Sequence, residues 1–137
     1  GPFDLRKPRK IGEAVGQLLD TGLTGYDQNF VLNGETGETK FAAQLFHEET
    51  GIDLKIFTTQ PGLQLYTGNY LSNVHGKGGR IYNRYAGVCL ETQNFPDSPN
   101  HKHFPSALLL PGKLYNHRTV YKFSNTRGAS VCDKREE

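Results

Sequence analysis

Cysteine is scarce in this chain of 137 residues: there are two, Cys89 and Cys132. One sits in a run that reads as a core strand and the other in a polar tail, so they do not look like a pair. No N-x-S/T acceptor occurs either, and both facts favour a reducing compartment, most simply the cytosol. No apolar run approaches the length that crosses a bilayer, and no signal-peptide pattern is visible at the start. A strong charge bias is also missing. The formal net charge is +2, too small to argue for a nucleic-acid partner. The densest basic patch, "RKPRK" (6–10), reads as a solvated segment leading into a helix, with RNA or membrane contact as the alternative. Helical periodicity is missing almost everywhere. So are the nucleophile elbow, the C-x-x-C pair and the H-E-x-x-H pair, which leaves covalent and zinc-protease chemistry without support. No internal repeat is evident.

What is there points to β structure. Glycine reaches 16 residues, and aromatic side chains make up 11% of a chain that is 35% hydrophobic. That mixture suits many short strands joined by turns. One segment, "IGEAVGQLLD" (11–20), spaces Ile11, Val15, Leu18 and Leu19 as an amphipathic helix, with Pro8 before it and Gly22 after it. The remainder alternates. A strand is expected in "QNFVLN" (28–33). "TKFAAQLFHEE" (39–49) and "IDLKIFTT" (52–59) flank Thr50-Gly51 as an antiparallel hairpin. Further strands are expected in "LQLYTGN" (63–69), "YAGVCLE" (85–91), "SALLLPG" (106–112) and "TVYKFS" (119–124). The Gly-rich "NVHGKGGRIYN" (73–83) lacks the helix and the Lys-Ser/Thr ending of a nucleotide loop, and reads as a flexible connection. Residues 125–137 have no periodicity and are expected to form a loose polar tail. The fold class expected is all-β, mainly antiparallel, with one short helix near the N-terminus.

Candidate chemistry collects at strand ends. Asp27 in "GYDQNF", Gln60 in "TTQPG" and Glu91 in "LETQN" each follow or end an apolar pattern. Such polar groups either cap their own turns or face one mouth where a ligand sits. Glu91 stands out because it separates "YAGVCL" (85–90), which reads as core, from the loop "QNFPDSPN" (93–100). Of the five histidines, His47, His75, His101, His103 and His117, only His101 and His103 are close, and no third ligand accompanies them. They read as surface residues and no metal or other cofactor is expected.

The blocks "FDLRKP" (3–8), "GYDQNFVL" (25–32), "TTQPGLQLYTGNYL" (58–71), "GVCLETQNFPDSPN" (87–100), "FPSALLLPGKLY" (104–115) and "YKFS" (121–124) resemble, in order, the carboxy-terminal part of the aldose 1-epimerases, or galactose mutarotases. The resemblance implies that residues 1–124 are part of a large mutarotase-type β-sandwich. It implies a reaction too: interconversion of the α and β anomers of a hexose such as galactose or glucose. A glutamate takes the proton of the anomeric hydroxyl while a histidine protonates the ring oxygen. By resemblance Glu91 is that base, and Asp27 and Gln60 hold the sugar. Gln28 stands where many relatives carry histidine. The family's acid histidine and sugar-binding arginine match no block of this sequence, so the chain by itself is expected to be weak or inactive. A second copy or a separate amino-terminal half would then cover open sandwich edges. The alternative expectation is a non-catalytic carbohydrate-binding or interaction module.

Overall fold

The computed structural model describes residues 1–126. In chain order the elements are helix α1 (Ile11–Leu19) and strands β1 (Asp27–Val31), β2 (Lys40–His47), β3 (Ile52–Thr58), β4 (Gly62–Tyr66), β5 (Val74–His75), β6 (Ile81–Tyr82), β7 (Cys89–Gln93) and β8 (Thr119–Asn125). The described residues divide into two compact units, residues 1–30 with 62–93, and residues 31–61 with 94–126.

The first unit is built on a three-stranded sheet in the order β1-β4-β7. Its apolar residues alternate, so one face is a core. Ala14, Val15 and Leu18 of α1 form a buried cluster with Tyr26 and Leu65, and Ile11, Phe30 and Leu90 pack against it. The helix follows from its sequence, because spacings of three and four residues bring Ile11, Ala14, Val15 and Leu18 to one side. Gly22, with φ +84°, ends it by letting the Leu23 amide reach back to the Leu18 carbonyl at 3.3 Å. Leu18 is fully buried. Leu18→Ala is therefore expected to lower unfolding stability by about 3 kcal/mol, read by urea denaturation. A loss below about 1 kcal/mol would mean that the helix is not packed as described.

The second unit carries the sheet β2-β3-β8. The expected hairpin is present: β2 and β3 pair antiparallel from Lys40↔Thr58 to His47↔Ile52, with a register shift between Phe41 and Ala43. β8 pairs along the whole of β3. Asp53 is buried within this sheet. It accepts a bond from Gln44 Nε2 at 2.7 Å and lies 3.9 Å from Lys55 Nζ, which offsets the cost of enclosing its charge. Ile56 and Thr58 are fully buried, whereas Phe123 on β8 is 67% exposed.

Three local expectations are corrected. "YAGVCLE" (85–91) is not one core strand. Tyr85 takes a left-handed φ of 66° and donates its hydroxyl to the Thr24 carbonyl at 2.7 Å, so the strand begins only at Cys89. Residues 85–89 are exposed, Cys89 included. "SALLLPG" (106–112) forms no strand, and Leu108 is 75% exposed. Pro105 and Pro111 lack the N–H that a ladder needs. "NVHGKGGRIYN" (73–83) is not merely a connection, because β5 and β6 pair as a two-stranded ribbon around Lys77–Gly79. β8 takes in Asn125. Cys132 and the expected loose tail from residue 127 lie outside the described residues.

Candidate functional site

The face of the first sheet opposite α1 is polar. Along β1, Tyr26 and Phe30 belong to the helix side, so Asp27 and Asn29 project to the other side, because successive strand residues alternate. On β4, Leu63 and Leu65 are buried, which gives Gln64 and Tyr66 to the polar face. On β7, Leu90 packs on the core and Glu91 takes the opposite direction.

Register sets these side chains beside one another. Gln64 is the cross-strand partner of Glu91. Two backbone bonds flank the pairing of β1 with β4. The Thr67 amide donates to the Tyr26 carbonyl at 3.1 Å, and the Leu32 amide donates to the Pro61 carbonyl at 2.9 Å. Counting inward from either bond puts Asn29 opposite Gln64. A row Asn29–Gln64–Glu91 therefore crosses the three strands, with Asp27 one diagonal step away. Gln64 Nε2 donates to Asp27 Oδ1 at 2.9 Å. Adjacent strands lie about 4.8 Å apart, so the row is about 10 Å wide between its outer strands, a width suited to a small ring.

The backbone of this face is fixed from behind. Thr67 Oγ1 accepts from the Tyr26 amide at 3.0 Å, and Asn69 Nδ2 donates to the Tyr26 carbonyl at 2.9 Å. The Thr67 hydroxyl in turn donates to Asn69 Oδ1. All three residues are buried. Tyr26 immediately precedes Asp27, so this network sets where β1 begins. The Tyr26 phenol donates to the Pro2 carbonyl, and burial pushes its pKa up. At the end of β4, Tyr66 and Tyr70 stack with ring centres 6.2 Å apart.

Of the three residues singled out from sequence, Asp27 and Glu91 lie on this one face, both exposed. Gln60 lies in the second unit, buried, with its side-chain oxygen unpartnered among the described residues. Gln64 and Asn29 were not singled out. The signal was available, since in "LQLYTG" a lone amide sits between two leucines of an alternating strand. Gln28, the departure noted above, bends back so that its Oε1 accepts from the Asp27 amide at 2.9 Å.

Among the described residues no three His, Cys, Asp or Glu side chains group as metal ligands would. His101 instead pairs with Asp97 at 3.1 Å. An open cleft of about 260 Å³ in the second unit, lined in part by Ser106, Leu108, Leu114 and His117, holds none of the residues above. No helix among the described residues is long and apolar enough to cross a membrane.

Antiparallel sheets and, among the described residues, one short α-helix make this an all-β protein of mainly antiparallel type. Comparison with known proteins narrows the class. The family model for aldose 1-epimerase matches residues 1–122, and the chain belongs to that family. It is 50% identical over 123 residues to the galactose mutarotase of Mus musculus, covering 89% of this chain and 35% of that one. It is 38% identical over 124 residues to the aldose 1-epimerase of Escherichia coli (strain K12), covering 88% and 36%. The crystal structure of the GalM/aldose epimerase homologue from C. elegans superposes with a TM-score of 0.77 at 30% identity, covering 90% of this chain and 37% of that one. The chain thus spans little more than a third of the length of the relatives it matches.

Proposed function

We propose that this chain carries the base-bearing part of a hexose mutarotase, in which Glu91 removes the anomeric hydroxyl proton while Asp27 and Gln64 hold the ring. The observation that carries the reading is the row itself. A carboxylate stands cross-strand from a carboxamide that is already bonded to a second carboxylate. A neutral sugar presents hydroxyls that donate to both acids and pair with the amide, and a base in hydrogen-bond reach of one hydroxyl is the geometry that proton abstraction needs. Gln60 is proposed separately as a sugar-contacting amide, supported by a buried side-chain oxygen with no hydrogen-bond partner among the described residues. Residues 1–124 are proposed as part of a larger β-sandwich. The exposed Phe123 and Tyr121 on β8 support a further layer, or a second copy, that covers them.

β1, β4 and β7 carry no histidine. That supports placing the acid of the reaction on sequence other than these strands, and it favours a second reading, a sugar-binding module without turnover. One titration addresses the site. Galactose added to the isotopically labelled chain is expected to move the side-chain amide of Gln64 and the backbone amides near Asp27 and Glu91 together. Absence of any shift at these positions up to about 100 mM, where even millimolar affinity would saturate, would remove the sugar reading. Polarimetry on the same sample separates the two functions: saturable binding without faster anomer equilibration is the signature of the module.

A further inference from the structure

Asn29 has a buried side-chain oxygen with no hydrogen-bond partner among the described residues. Its neighbour across the strand gap, Gln64, has one too. An acceptor left in this state is costly, and native proteins keep few of them. Two lie next to each other here, on the face turned away from α1 and beside the bond that Gln64 makes to Asp27. What satisfies an orphaned acceptor is a donor.

We propose that Asn29 is a specificity-determining contact of the sugar site, taking a hydrogen bond from a ring hydroxyl on the side of the hexose remote from the anomeric carbon. The proposal rests on the reading that puts the anomeric oxygen at Glu91. β7 and β1 are the outer strands of the sheet. A ring with one end at Glu91 and lying along the row therefore brings its far side to β1, where Asn29 stands. The chemistry selects the ligand class. A hydroxyl both donates and accepts, so it satisfies either orientation of a carboxamide. A phosphate ester at that ring position would offer only acceptors and would bring negative charge beside Asp27. The site is thus built for a neutral sugar with its far-side hydroxyl free.

The test uses the whole chain, with galactose, 3-deoxygalactose and 4-deoxygalactose titrated by NMR. On the unmutated chain one of the two deoxy sugars is expected to bind about tenfold more weakly, as loss of one hydrogen bond predicts. Asn29→Ala is expected to weaken galactose by a similar factor and to abolish that deoxy penalty. Asn29→Asp, which keeps an acceptor in the same place, is expected to retain the penalty. Full galactose affinity in an Asn29→Ala chain with an undisturbed amide spectrum overturns the proposal, as does a deoxy penalty that survives the substitution. If Asn29→Ala does not fold, equal binding of all three sugars to the unmutated chain still overturns it. A chain that binds none of the sugars overturns the hexose reading and this contact together, which distinguishes that failure from the loss of Asn29 alone.

Discussion

Replacing Glu91 with glutamine is expected to slow anomer interconversion by about 10²–10⁴-fold, the usual contribution of a positioned acid or base. The measurement is polarimetry of freshly dissolved α-galactose. It is made on a chimera that joins these residues to the remaining two-thirds of the mouse relative, so that the length this chain does not span is supplied. Glutamine matches glutamate in shape and still stands opposite Gln64 on β7, so the sugar remains hydrogen-bonded. What disappears is the negatively charged, basic oxygen proposed to accept the proton. The effect should therefore fall on kcat, with KM changed by a few-fold at most. A chimera carrying Glu91→Gln that equilibrates galactose at the unmutated rate would show that another group abstracts the proton. A rise in KM with kcat unchanged would make Glu91 a binding residue only.

Gly25→Ala is expected to cost about 3 kcal/mol of stability or more. The backbone at Gly25 has φ +141°, a conformation that an L side chain adopts only at a price of roughly 1–3 kcal/mol. A Cβ there would also lie 2.3 Å from Asn69 Oδ1 and 2.7 Å from Thr67 Oγ1. Thr67 Oγ1 accepts from the Tyr26 amide and Asn69 Oδ1 accepts from the Thr67 hydroxyl, and both belong to buried side chains. The substitution therefore combines strain with the loss of a buried hydrogen-bond network. Urea denaturation followed by circular dichroism reads the loss. The same network fixes the start of β1, so in the folded fraction the Gln64 side-chain amide should also move, reporting a displaced Asp27. A variant as stable as the unmutated chain would mean that Gly25 does not hold the conformation described.

Much of the architecture was legible because it depends on short-range patterns. The spacing of Ile11, Val15 and Leu18 gave α1. The alternation of Ile52, Leu54 and Ile56 about Thr50-Gly51 gave the β2–β3 hairpin. The failures have separate causes. "SALLLPG" has the apolar content of a strand, but its ladder would need donors that Pro105 before it and Pro111 within it do not have. "YAGVCL" has the composition of a core strand, but a left-handed turn at Tyr85, held by a bond to residue 24, leaves only Cys89 and Leu90 of it in the sheet.

The site divides in the same way. Residue type and local pattern were enough to mark Asp27 and Glu91 as polar groups at the ends of apolar strands, and the blocks around them were enough to mark the family. Which carboxamide keeps them company was not readable along the chain, because Asp27, Gln64 and Glu91 come from three strands separated by dozens of residues. Only strand pairing brings them onto one face. A shift of β4 by one residue would turn Gln64 into the helix-side core and put a leucine in its place. Sequence by itself fixed the ingredients, since side-chain chemistry and period-two alternation are local. The neighbours were decided by the tertiary structure, because hydrogen-bond register between distant strands is the physical event that makes a row of polar groups into a site.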